Sequence, residues 1–142
     1  MRQDPKPASS VIVRRDDRFL LVKRANPPAQ AMYAFPGGKA EQGETPEKAA
    51  CRELFEETGL SAENTNLFTV YDLIDRNEQG AVTSHYRLSV FIAEAEETFD
   101  PVAADDALEL GWYTVQEIRK LPVPASVLEC VERLSDTVSE HN

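Results

Sequence analysis

An α/β fold in a single domain, with helices on the faces of a mixed β-sheet, is predicted by three features of the sequence. Strand-like segments stand both before and after one central helical segment, and short polar turns link several of them, which favours hairpins and crossovers within one mixed sheet. The length of 142 residues suits one domain, which at that size buries roughly 70% of its unfolded surface without disulfide or metal staples. The composition, 42% hydrophobic and 28% charged, is that of an ordinary folded soluble domain, and neither a repeat nor a linker interrupts it.

The elements follow in order. Residues 1–7 read as a flexible lead-in and residues 8–138 as the domain. Val11-Ile12-Val13 and Phe19-Leu20-Leu21-Val22 are two strands, and the polar turn Arg14 to Arg18 between them implies a hairpin. Asn26-Pro27-Pro28 marks a loop, and Met32 to Phe35 a short strand stopped by Pro36-Gly37-Gly38. A helix is expected from Pro46 to Thr58: Thr45 suits the N-cap, Pro46 the first turn, Glu47 the positive end of the dipole and Gly59 the left-handed terminator. Leu67 to Asp75 and Val82 to Ala93 are strands joined by the turn Asn77 to Gly80; Tyr86, Leu88, Val90 and Ile92 share one face of the second, and His85, Arg87 and Ser89 the other. An acidic loop from Thr98 to Ala107, a last strand from Leu108 to Tyr113, and helices at Val115 to Leu121 and Ala125 to Val138 complete the chain. In the last helix Val127, Leu128, Val131 and Leu134 form a packing stripe.

Charge narrows the partners. A formal net charge of −10 without a basic stripe repels phosphate backbones, which argues against nucleic acid polymers. The longest apolar runs are about four residues, far from the roughly 20 that cross a bilayer, and the polar N-terminus lacks the apolar stretch of a secretory signal. No membrane partner is expected. Cys51 and Cys130 are too few for a disulfide framework and read as small buried residues, so a cytoplasmic home is expected. A small anionic ligand remains compatible with the acidity if a metal neutralises it locally.

The chemistry concentrates between Gly38 and Leu60. Glu53, Glu56 and Glu57 stand at i, i+3 and i+4, within an arc of roughly 100° on one helix face. Cys51, Leu54 and Phe55 form an apolar stripe on roughly the opposite face, expected to pack on the sheet. Three clustered glutamates alone are ordinarily a solvated acidic face. The flanking residues shift that reading. Gly37-Gly38 allow close backbone approach to a metal or phosphate. Arg52 can hold two carboxylates at once, with Glu44 as a partner. Hard divalent cations take such oxygen ligands, Mg²⁺ commonly through one or two carboxylates and substrate phosphates.

Written out, the segment is Gly38, five residues, Glu44, seven residues, then Arg52-Glu53-Leu54-Phe55-Glu56-Glu57-Thr58-Gly59-Leu60. It resembles the Nudix box over its 23 residues, with all nine defining positions filled. The approach Phe35 to Lys39 and the pair Trp112-Tyr113 are similar to the small bacterial branch of that family, so the resemblance covers about residues 8–135. It implies an α/β/α sandwich around a mixed sheet, with the box as loop–helix–loop. It also implies cleavage of nucleoside diphosphates linked to another moiety, with Mg²⁺ or Mn²⁺. By position, Glu53, Glu56, Glu57 and the Gly38 carbonyl would be metal ligands, and Arg52 and Glu44 orienting residues. The general base, which varies within the family, would be Glu57, Glu53 or a loop acid.

Outside the box, Arg24 or Lys23 at a strand end is a possible phosphate contact, against the ordinary reading of a strand-end cation. Phe35, Gly37 and Tyr86 are the further substrate-binding candidates, and Tyr33 and Trp112 are aromatics able to stack on a base, though each is more often core. His85 reads as a surface or packed histidine. Asp106, with Asp105 in the acidic loop, is a further metal candidate against the plain reading of a solvated loop. The resemblance to the ADP-ribose pyrophosphatase-like group points first to ADP-ribose or a nucleotide sugar. A (d)NTP pyrophosphatase and a non-catalytic nucleotide sensor are the alternatives. A small nucleotide is the expected partner, and a monomer or homodimer the expected assembly.

Overall fold

The computed structural model describes residues 4–25, 31–95 and 107–139. Among the described residues seven strands and three helices follow one another as β1 (Lys6–Arg15), β2 (Arg18–Arg24), β3 (Tyr33–Ala34), β4 (Gly37–Lys39), α1 (Pro46–Thr58), β5 (Ala62–Arg76), β6 (Val82–Ala95), β7 (Ala107–Tyr113), α2 (Val115–Ile118) and α3 (Ala125–Ser139). The strands run β3-β2-β1-β6-β5 across the sheet, with β4 paired to β1 and β7 to β2. β1 and β6 are parallel and the other pairs antiparallel, so the expected mixed sheet is present.

β1 explains the layering. From Ser9 to Val13 it is buried on both faces, the pattern of a strand covered on two sides rather than of an amphipathic one. Val11 and Val13 join Leu20, Phe91 and Ala93 beneath Ala50 and Leu54 of α1. Ile12, Leu21 and Val90 pack with Ile118 of α2 and with Val127, Cys130 and Val131 of α3. Helices therefore lie on both faces, the α/β/α arrangement that the resemblance implies.

Helix α1 has the bounds that its caps predict. The Thr45 side chain accepts from the Lys48 N–H, Pro46 opens the first turn, and Gly59 at φ 81° turns the chain out while its N–H returns to the Phe55 carbonyl. Its buried stripe differs from the expected one. Phe55 is 59% exposed and Cys51 only half-buried, whereas Ala49, Ala50, Leu54, Glu57 and Thr58 are covered. The two alanines bring the helix axis close to the sheet, and Phe55, about 100° round from Leu54, then falls outside the contact. Both cysteines are free.

Other boundaries shift modestly. β1 begins at Lys6, because Lys6 and Pro7 pair with Tyr86 and Arg87. β5 starts at Ala62, five residues before the expected Leu67, and α2 ends at Ile118 rather than Leu121. Gly37 and Gly38, expected with Pro36 to stop a strand, instead begin the strand Gly37–Lys39, which pairs with Ser10, Ser9 and Ala8 of β1. The Asn26-Pro27-Pro28 loop and the acidic loop up to Asp106 lie outside the described residues. Among the described residues no helix is long and apolar enough to cross a membrane.

Candidate active site

β4 feeds directly towards α1, and the two glycines of β4 show how tightly. A Cβ on Gly37 would sit 2.2 Å from the Ser9 carbonyl oxygen and 2.7 Å from the Ser10 Cα. A Cβ on Gly38 would sit 2.8 Å from the carboxyl carbon of Glu53. The first obstruction is backbone and cannot give way; the second is the mobile end of a side chain. Gly37→Ala is therefore expected to open the β4–β1 pairing and lower stability by about 3 kcal/mol, the upper range for overpacking, in a denaturant titration. Gly38→Ala should fold nearly as well as the native chain but displace the Glu53 carboxylate.

Arg52 is the hub of the site. Its Nε donates to Glu44 Oε2 at 2.8 Å and its Nη2 to Glu44 Oε1 at 3.1 Å, a bidentate fork. Its Nη1 donates to Glu53 Oε1 at 2.9 Å and to Glu56 Oε2 at 3.0 Å. Nη2 also reaches the Lys39 carbonyl at 3.3 Å, which ties α1 to the end of β4. Glu41, 3.8 Å from Nη1, adds a further carboxylate. One guanidinium thus faces four carboxylates, an excess of negative charge on one small surface.

The charges respond accordingly. Hydrogen bonding from Arg52, aided by the Glu41 N–H, holds the Glu44 carboxyl down from its usual 4.5 to about 2. The Arg52 guanidinium is held even more firmly protonated, chiefly by Glu44. Burial pushes Glu53 upward, against the pull of Arg52. The Glu44 carboxylate binds fewer protons folded than unfolded between pH 4.5 and about 2, so its stabilisation is present above that window and is lost as the pH falls through it. The thermal midpoint of the native chain should therefore drop more steeply across this range than that of Glu44→Gln.

Glu57 stands apart from its two neighbours. It is fully buried, on the helix face between Glu53 and Ala50. Its Oε2 accepts from the Gly37 N–H at 3.2 Å, and its Oε1 lies 3.5 Å from Arg24 Nη1. The same Nη1 donates to the Gly37 carbonyl at 3.0 Å, so Glu57 holds Gly37 at its N–H and Arg24 at its carbonyl. Among the described residues no three His, Cys, Asp or Glu side chains already converge on one point, because Arg52 holds Glu53 and Glu56 while Glu57 turns to Gly37.

A cleft of about 670 Å³ opens beside this cluster. Arg24, Phe35, Gly37, Gly38, Arg52, Glu53 and Tyr86 all line it, so the structure brings most of the expected residues together. Lys39 Nζ sits 5.5 Å from the centre of the Tyr86 ring. Tyr33, Trp112 and His85 are engaged elsewhere: Tyr33 hydrogen-bonds Glu109, Trp112 lies under the Arg15 guanidinium at 4.4 Å, and His85 Nε2 is 3.0 Å from Asp72 Oδ1. Lys23 Nζ rests 5.9 Å from the Tyr33 ring centre. Asp105 and Asp106 lie outside the described residues. Residue-by-residue reading missed the wall opposite α1, which Leu73 and Asp75 of β5 form with Ser126, Val127 and Cys130 of α3. Only the packing stripe of α3 hinted at it. Ser9 and Ser10, at the root of the cleft, were also missed.

A glycine-entered helix that carries an arginine-clamped carboxylate cluster, set against a mixed sheet beside an open cleft, defines a class of α/β proteins built around an acidic helix. The NUDIX domain model matches residues 4–134, and the chain belongs to that family, the Nudix hydrolases. The chain is 38% identical over 118 residues to the ADP-ribose pyrophosphatase of Methanocaldococcus jannaschii, covering 82% of this chain and 66% of that protein. It is 30% identical over 115 residues to the Nudix hydrolase YvcI of Bacillus subtilis, covering 81% of this chain and 70% of that one. Other relatives are spanned over about half of their length, 46% and 48% in two cases. A crystal structure of a MutT Nudix hydrolase from Burkholderia pseudomallei superposes with a TM-score of 0.78 at 30% identity, covering 92% of this chain and 98% of that one.

Proposed function

We propose that this chain hydrolyses a phosphoanhydride bond in a nucleoside diphosphate derivative, ADP-ribose or a nucleotide sugar, with Mg²⁺, or Mn²⁺ in its place, at the α1 carboxylates. The observation that carries the reading is that Gly38, Arg52 and Glu53 line one cleft, with Glu44 and Glu56 held to Arg52 and Glu57 to the Gly37 N–H directly beside them. The similarity to the methanogen ADP-ribose pyrophosphatase supports the substrate class.

The residues fit a hard divalent cation. Every donor is oxygen: the Glu53, Glu56 and Glu57 carboxylates and the Gly38 carbonyl. The absent Cβ of Gly38 is what lets the Glu53 carboxylate lie against β4. The surplus of carboxylates over Arg52 supplies the negative charge that draws a cation. Such an ion, when bound, withdraws charge from the diphosphate oxygens and makes water easier to deprotonate.

The chain's own residues do the rest. Arg52 holds Glu53 and Glu56 at fixed positions, itself anchored by the Glu44 fork. Glu57, kept in place by the Gly37 N–H, or Glu53 beside it takes the proton of the attacking water. Tyr86 and Phe35 offer apolar surface to the base or sugar, and Arg24 a cation at the rim for phosphate. Water attacks one phosphorus and the other phosphate-terminated group leaves.

A panel of ADP-ribose, nucleotide sugars and dNTPs, incubated with Mg²⁺ or Mn²⁺ and resolved by chromatography, tests the reading. AMP and ribose phosphate from ADP-ribose are the expected products. Pyrophosphate released only from dNTPs would instead favour a triphosphate pyrophosphatase. Intact substrates throughout would leave a nucleotide-binding role.

A further inference from the structure

Among the described residues Ser9 Oγ is the buried side-chain oxygen without a hydrogen-bond partner. Ser9 is 1% exposed, so its hydroxyl bears the desolvation penalty of an unmet polar group. Its place in the sheet shows where that hydroxyl stands. Along β1 side chains alternate, and Val11 and Val13 face α1, so Ser9 leaves the sheet on the α1 side as well. Ser9 is also the antiparallel partner of Gly38, and directly opposite residues share a face. The missing Cβ of Gly38 points at the Glu53 carboxyl 2.8 Å away. Ser9, Gly38, Arg52 and Glu53 all line the cleft.

Packing gives no reason for a hydroxyl here. Two and four residues on, the same face of β1 carries the buried Val11 and Val13. Ser9 is the polar exception at the point where the strand reaches the carboxylate cluster. A hydroxyl that donates to none of the carboxylates nearby, buried in a residue of the cleft lining, is poised to donate to an oxygen brought in by a ligand. An anionic phosphate oxygen is the strongest such acceptor.

We infer that the Ser9 hydroxyl is a substrate contact that donates a hydrogen bond to a phosphate oxygen of the bound nucleoside diphosphate. The inference rests on the proposed function. It adds to the α1 residues a neutral donor on β1, which holds the diphosphate without adding charge to the site.

The test compares the native chain with Ser9→Ala and Ser9→Cys, the latter similar in size but a weak donor. The non-hydrolysable α,β-methylene ADP is titrated calorimetrically with Mg²⁺ present, and Mn²⁺ alone is titrated by electron paramagnetic resonance. Both variants are expected to bind the analogue roughly 10-fold more weakly, the scale for a hydrogen bond to a charged group. They should bind Mn²⁺ alone as the native chain does. The melting point of Ser9→Ala should equal or exceed the native value, since an unmet polar group is removed. Native-like affinity of Ser9→Ala for the analogue overturns the inference alone. So does a weaker Mn²⁺ titration that accounts for the whole loss, or a lowered melting point with unchanged affinity. Absence of binding by the native chain overturns the proposed function and the inference with it.

Discussion

Glu57→Gln is expected to lower the turnover of ADP-ribose at least ~100-fold, the scale for losing acid–base or metal assistance. Glutamine keeps the shape of the side chain and retains an amide oxygen able to accept from the Gly37 N–H, which the native carboxylate meets at 3.2 Å. It removes the negative charge from a fully buried position. Arg24, 3.5 Å away, keeps its hydrogen bond to the Gly37 carbonyl, so the peptide that leads into Gly38 stays anchored. The loss should therefore appear in kcat more than in KM, and a denaturant titration should still show one cooperative transition. A folded variant with near-native kcat would remove Glu57 from the chemistry.

Arg52→Ala is the second large effect, and it acts on both stability and rate. The guanidinium neutralises Glu44, Glu53 and Glu56 together and is itself only 23% exposed. Without it Glu44, Glu53 and Glu56 lose the cation they share, and their mutual repulsion should lower the thermal midpoint clearly. Arg52→Lys discriminates between charge and geometry. An ammonium restores much of the charge but cannot repeat the fork to Glu44 while reaching Glu53 and Glu56. Lysine should thus recover most of the stability in a thermal melt while turnover stays at least ~10-fold below native. Full recovery of turnover by lysine would mean that the fork has no orienting role.

The parts legible in the sequence are those written locally. Thr45, Pro46 and Gly59 set the bounds of α1 because capping is a matter of neighbouring residues. Arg52 as a clamp for carboxylates, with Glu44 as its partner, is legible for the same reason, since the spacing of the segment sets them close together. What escaped depends on distant partners. Phe55 looked like a core residue by type, but Ala49 and Ala50 set the contact with the sheet, and that depends on how closely the helix seats. Gly37-Gly38 looked like a strand stop, because nothing in the local sequence shows that β1 will pass within reach of them. Glu57 was grouped with its neighbours by spacing, whereas its partners, Gly37 and Arg24, are 20 and 33 residues away. The cleft wall drawn from β5 and α3 and the unmet hydroxyl of Ser9 exist only once the layers assemble.

The central claim of the proposal is that the α1 carboxylates together hold a divalent cation beside the cleft that Glu53 lines. Titration of the native chain and of the double variant Glu53→Gln/Glu57→Gln with Mn²⁺, followed by electron paramagnetic resonance, tests it most directly. The account predicts that the free-ion signal is suppressed by the native chain, restored by competing Mg²⁺, and left almost undiminished by the variant. Equal suppression by the two proteins, or none by the native chain, would contradict it.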